Sequence, residues 1–181
     1  MKTAKGGRLL LIVQVVTVFL ASIAMSLALA HALEFPGKLR LSKENYIATQ
    51  TIYYPGFTIG GIAEGLSMVA ALILIVLTPT NTQAFWWTLA GLIGLVAMHV
   101  VYWTLTHPVN KFWTKDLNLK GVSGGFFDVG RRMEATEGAG NSGENWVSFR
   151  NRWEYSHVFR AALSATALLS LIVAVAVRGN G

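Results

Sequence analysis

With 181 residues, 53% of them apolar and only 13% charged, the chain carries about half the charged share of a soluble domain, so a soluble globule is not the expected class. The absence of cysteine excludes disulfides, thiolate nucleophiles, iron–sulfur clusters, Cys-ligated zinc and c-type haem attachment. A net charge of +6 with no basic stripe among aromatics points away from nucleic acid and toward anionic lipid headgroups.

The length suits one domain, residues 1–181, and the charges cluster so that long apolar runs remain. A membrane-crossing helix needs about 20 apolar residues, because the hydrocarbon offers its backbone no hydrogen-bond partner. Four segments qualify. The first, about 9–33, follows Lys2, Lys5 and Arg8 and is closed by Glu34 and Pro36. Its rival reading is a secretory signal, with Ala28-Leu29-Ala30 or Ala30-His31-Ala32 as the cleavage pattern; about 25 apolar residues is long for that, so a retained span is expected. The second span is about 58–77, ending at Thr78-Pro79-Thr80-Asn81, and the third is about 85–106. Their short connection dictates an antiparallel hairpin. The fourth is about 160–177. The expected fold is all-α: an up-down bundle of four transmembrane helices, with both termini at one end and both longer loops at the other.

Two elements outgrow the membrane. Residues 42–54 read as an interfacial helix kinked from the second span at Pro55-Gly56. The fourth helix is expected to start near 143, with Asn141 and Glu144 as a capping-box variant, and so to extend beyond the bilayer. Between Lys111 and Gly143, two Gly-rich linkers flank an amphipathic piece, 126–137, read as a cap over the bundle or as an ordinary surface loop. The loop end carries 11 of the 15 basic residues, which places it in the cytoplasm, although the three basic residues before the first span favour the opposite orientation.

On the fourth helix Trp146, Arg150, Trp153, His157 and Arg160 are spaced 4, 3, 4 and 3, a single stripe. Trp favours membrane interfaces, so the stripe also suits an interface belt, but Arg and His near hydrocarbon turn toward a bundle interior or a watery cavity. The third helix ends in a matching set, His99, Trp103, Thr106 and Asn110, with His107 beside it. A pocket is therefore expected between these two helices, walled by Trp103, Trp113, Trp146 and Trp153. His99 fits a core histidine bonded to a neighbouring helix. Glu64, the only acid in the run from Asn45 to Asn110, is protonated, paired with Arg or His, or functional.

Metal readings are narrow. Glu154 and His157 form a Glu-x-x-His pair, but a di-iron site needs a second such pair and further carboxylates. A mononuclear ion held by His107, His157 and either Glu154 or Glu64 would satisfy a two-His-one-carboxylate rule; an Arg150–Glu154 helical ion pair explains Glu154 more simply. Haem on two of His31, His99, His107 and His157 lacks an obvious pair at matched depth. No cofactor is therefore assigned.

Pro108-Val109-Asn110 with Trp113, followed by the stripe from Trp146 to Arg160, resembles the integral membrane family of unknown function that includes the anthrone oxygenases. The motifs fall within about residues 106–165. The resemblance implies a four-helix membrane bundle and, for members with an assigned role, oxygenation of an anthrone to a quinone without a dedicated cofactor. It carries over Asn110, Trp146, Arg150, Trp153, His157 and Arg160; His107 lies outside the pattern.

Two functions follow as expectations. In the first, the chain is a small membrane oxidoreductase acting on a hydrophobic aromatic or quinone-like molecule that arrives from the bilayer. His157 is then the general base, Arg150, Arg160 and Asn110 stabilise the resulting anion, and Trp103, His107, Trp113, Trp146, Trp153, Glu154 and Glu64 surround the substrate. In the second, it is a non-catalytic subunit of a larger membrane complex that grips a partner or lipid through the Trp/Arg stripe.

Overall fold

A computed structural model describes residues 2–113 and 146–178, and among these there are helices and no strands. The helices are α1 (Lys2–Lys38), α2 (Lys43–Gln50), α3 (Gly56–Leu77), α4 (Gln83–Val101), α5 (His107–Trp113) and α6 (Trp146–Arg178). A 3-10 turn, Thr51–Tyr53, follows α2, and a π turn, Tyr102–Thr106, joins α4 to α5. Four helical stretches are long and apolar enough to cross a membrane: Gly7–Lys38, Gly56–Leu77, Gln83–Asn110 and Trp146–Arg178. The protein is a multi-pass, all-α membrane bundle whose surface meets lipid.

The sequence explains how the bundle closes. Helix α1 packs on α3 and α6, and α4 packs on the same two, so the four long helices form a ring with α1 opposite α4 and α3 opposite α6. Inward positions are small: Ala21, Ala24 and Ala28 on α1, Ala71 on α3, and Ser164 and Ala167 on α6 are all buried. Lipid gives helices no hydrophobic reason to associate, so close backbone approach supplies the contact. At Gly94 an added Cβ would lie 2.8 Å from the Ala167 Cβ, and at Gly91 it would lie 2.7 Å from Leu171 Cγ. The large apolar side chains point outward instead, among them Ile12, Phe19, Val69, Val76, Ile93 and Leu169.

Helix ends follow local chemistry. Ser42 caps α2 by accepting from the Asn45 amide at 3.3 Å, and Thr82 caps α4 by accepting from the Phe85 amide at 3.2 Å, fixing the α3–α4 hairpin. Tyr54-Pro55 is a cis peptide immediately before α3. At the termini end, Arg178 bonds Gln14 Oε1 at 2.6 Å and the Gly7 carbonyl at 3.2 Å, tying α6 to α1.

Two expected boundaries move. Helix α1 passes through Pro36 to Lys38. Proline in a last turn removes only one ladder bond, and a Lys38–Glu34 ion pair at 2.8 Å spans the gap. The third span passes through the π turn and beyond Thr106 to Asn110, and the helix itself continues to Trp113. Pro108 cannot donate to the carbonyl of Thr104, four residues earlier, and Arg152 of α6 fills that carbonyl at 2.6 Å. The described part of α6 begins at Trp146; its expected start near 143, the Asn141–Glu144 cap and the Gly-rich segment lie outside the described residues.

Candidate functional site

A cavity of about 200 Å³ lies toward the loop end of the bundle. All four long helices contribute to it, not only the third and fourth as expected: Ala28 and His31 come from α1, Gly61 and Glu64 from α3, His99 from α4, and His157 and Arg160 from α6. Tyr53, Phe57, Tyr102, Trp103 and Trp153 give it aromatic walls. Its rim includes Trp103 and Ile62, which are 44% and 50% exposed and therefore face the lipid.

The polar wall is a chain of donors and acceptors across the ring. Glu64 accepts from Arg160 Nη2 at 2.5 Å and from His99 Nδ1 at 2.9 Å, linking α3 to α6, which stand opposite each other, and to α4. Indole nitrogen can only donate, so the 2.8 Å bond from Trp103 Nε1 to His99 Nε2 assigns the His99 proton to Nδ1, the nitrogen facing Glu64. Each member thereby fixes the next. Arg160 also approaches His157 Nδ1 at 3.4 Å with Nη1. A guanidinium has no lone pair, so Nδ1 is the acceptor and the His157 proton sits on Nε2, which has no hydrogen-bond partner among the described residues.

His157 belongs to a stack. Its ring centroid is 4.1 Å from that of His31 and 4.2 Å from that of Trp153, and His31 also touches Tyr53 and Phe57. Two histidines thus do share one depth on neighbouring helices, which the sequence did not suggest. Rings in direct contact leave no gap for a porphyrin between them, so the pair does not fit bis-histidine haem. Among the described residues no three His, Asp or Glu side chains gather as a metal would need. Glu154 is turned to Tyr46, whose hydroxyl donates to Oε1 at 2.8 Å, and His107 stacks on Trp103 with centroids 4.6 Å apart, so His107, His157 and Glu154 do not form the mononuclear site.

The remaining site candidates divide. Asn110 lines the cavity and accepts from Trp153 Nε1 at 2.6 Å, which orients that indole as a wall. Arg150 does not line it: the guanidinium bonds Asn151 Oδ1 and lies 5.1 Å over the Trp146 ring. Trp113 and Trp146 pack with Tyr46 in an aromatic layer toward the loop end instead of walling the cavity. Glu154 meets Tyr46 and Lys38 in place of the expected Arg150 partner. Comparison with protein-family models, with curated proteins and with solved structures finds no match to this chain.

Several residues escaped the sequence reading. Lys38 is only 4% exposed, 2.8 Å from Glu34 Oε2 and 3.4 Å from His31 Nδ1, with the Tyr53 and Trp153 ring centroids 4.7 and 4.9 Å from Nζ. His31, Glu34 and Lys38 are spaced 3 and 4 apart, a helical stripe that was visible in principle. Tyr46, Tyr53, Tyr54 and Phe57 come from the interfacial segment and the start of α3, and nothing local announces that they fold inward. Burial drives the Tyr46, Tyr53 and Tyr54 phenols above their usual range, and the carboxylates of Glu154 beside Tyr46 and Glu34 beside Tyr53 push the same way.

Proposed function

We propose that the cavity takes a hydrophobic aromatic molecule bearing a phenolic or ketone oxygen from the bilayer and holds that oxygen as an anion, so that the chain acts as a small anthrone-oxygenase-like oxidoreductase. The observation that carries this reading is the pairing of aromatic walls with a fixed cation at one end: the Arg160 guanidinium, clamped by Glu64 and set against the His157 ring. Preorganised donors in a water-poor site stabilise developing negative charge at no further ordering cost. The tautomer takes His157 out of the role of base, because its lone pair is on Nδ1 against Arg160, and makes the ring a brace for that guanidinium. Trp153, braced by Asn110, and Trp103 stack on the rings.

Such an anion is electron-rich and reacts with dioxygen. For an anthrone the balance is a ring CH2 plus dioxygen giving a ring carbonyl plus water: carbon gives up four electrons, one oxygen atom enters the product, and the two hydrogens leave in the water. The subunit reading is weakened by burial: Trp153, His157 and Arg160 lie inside this chain and offer nothing to a partner.

Dioxygen uptake with an anthrone tests the activity, using purified protein in lipid nanodiscs. His157→Ala and Arg160→Met are expected to lower the rate at least tenfold. Gly61→Leu is expected to block binding while the protein still folds, because Gly61 lines the cavity and a Cβ there meets nothing within 4 Å. Full turnover by His157→Ala contradicts the assignment.

A further inference from the structure

A lysine at the end of a membrane helix ordinarily stretches to water, carrying its charge out of the hydrocarbon. Lys38 does the reverse. It closes α1, where the apolar run has already ended at Leu33, yet its side chain turns inward. There it bridges two kinds of group. On the outer side is Glu34, whose carboxylate at 2.8 Å is 41% exposed and also accepts from the Tyr53 hydroxyl at 2.5 Å. On the inner side is His31, with Nδ1 at 3.4 Å, a residue that lines the cavity and stacks on His157.

We infer that Glu34, Lys38 and His31 form a proton relay between water at the loop end and the molecule held in the cavity. The inference rests on the proposed ligand only for what receives the proton. An ammonium has no lone pair, so the contact with Lys38 makes His31 Nδ1 the acceptor and leaves the His31 hydrogen on Nε2. From this state Lys38 passes a proton to Nδ1 as His31 gives up its Nε2 proton to an oxygen in the cavity, which leaves the His31 hydrogen on Nδ1, and Glu34 returns a proton to Lys38 from water. One proton moves inward and no electrons move; the reverse sequence carries one out. The oxygenation above uses both directions: the proton taken up as water is made leaves His31 Nε2 able to accept the proton released when the next anion forms.

The surroundings suit the task. Facing Lys38 are Glu34 and His31 on its own helix, Glu154 of α6 with Oε1 at 3.9 Å, Tyr46 of α2 behind that carboxylate, and the Tyr53 and Trp153 rings at 4.7 and 4.9 Å. Facing His31 are Lys38, His157 and, beyond His157, Arg160. Glu154 is fully buried and cannot exchange with water, so Glu34 is the outer terminus among these groups.

The experiment follows exchange of the His31 ring N–H with deuterium. Full-length protein labelled with 15N-histidine in nanodiscs is saturated with 2-naphthol, whose oxygen can receive the Nε2 proton, and is then switched to deuterated buffer. Lys38→Met removes the relay, Lys38→Arg keeps the charge on a group that does not deprotonate, and Glu34→Gln removes the ionisable outer group while keeping an oxygen for the Lys38 and Tyr53 donors. Each folded variant is expected to exchange at least tenfold more slowly than the wild type. Wild-type exchange in Glu34→Gln and in either folded Lys38 variant overturns the relay. A separate titration of the wild type with 2-naphthol tells the two readings apart: absence of binding overturns the ligand reading and the relay's receiver together, while binding with unslowed exchange in the variants overturns the relay alone.

Discussion

Replacing Glu64 by glutamine tests whether the cavity wall is one coupled network. Both partners of the carboxylate are donors, Arg160 Nη2 and His99 Nδ1, so glutamine can accept from only one of them. If its oxygen faces Arg160, its amide nitrogen meets the His99 N–H. His99 then either keeps a donor against a donor or shifts its proton to Nε2 and breaks the bond from Trp103. Breaking a buried ion pair from one side costs about 3–5 kcal/mol, and an unsatisfied buried group about 1–3 kcal/mol. Polar contacts in membranes fall at the low end of such ranges, so we expect about 3 kcal/mol, roughly a hundredfold in the unfolding equilibrium. Reversible denaturation in bicelles reads this, and Trp103 emission should shift with it. A Glu64→Leu/Arg160→Met double variant should lose less than either single variant, because no buried charge is left alone. A Glu64→Gln protein within about 0.5 kcal/mol of the wild type, with unchanged Trp103 emission, would refute the coupling.

Other expectations are independent of it. Gly94→Val should destabilise the bundle by about 1–3 kcal/mol, since the new Cβ meets the Ala167 Cβ at 2.8 Å and the Leu163 carbonyl at 3.3 Å; thermal unfolding in detergent checks it. Arg152→Ala should cost about 1 kcal/mol and speed amide exchange through Tyr102–Thr106, because it strips the Thr104 carbonyl of its donor. Tyr46, Tyr53 and Tyr54 keep their protons more tightly folded than unfolded, so their contribution is fully present below the ordinary phenol pKa and is lost as pH rises beyond it. Phenolate absorbance from these three should therefore appear together with unfolding; free titration in the folded protein would contradict their burial.

The four spans and the long fourth helix were legible because hydrocarbon imposes a length and composition that any such helix must meet. The inward stripe on α6 was legible in part. Trp153, His157 and Arg160 lie on the deeper turns and face the cavity, while Trp146 and Arg150, a turn or two nearer the loop end, have room to turn aside. Helical spacing gives a direction around the axis but not the depth at which neighbours stop. For the same reason the His31–His157 contact was missed: it depends on the offset between α1 and α6. Lys38 was read as a topology signal, since a basic residue after an apolar run normally marks the water. Its burial requires Tyr46, Tyr53 and Glu154, which lie on other elements and reach it only through tertiary folding.

The central claim is that the oxygen-bearing end of an aromatic ligand sits inside the bundle beside Arg160 and His157. Photocrosslinking with a diazirine-bearing hydroxyaromatic probe in nanodiscs, followed by peptide mapping, addresses it most directly. Labelling is expected at cavity residues such as Ala28, Phe57, Trp153 and His157, and it should disappear in Gly61→Leu. Labelling confined to outward-facing positions such as Trp86 and Val76, unaffected by Gly61→Leu, would contradict the account.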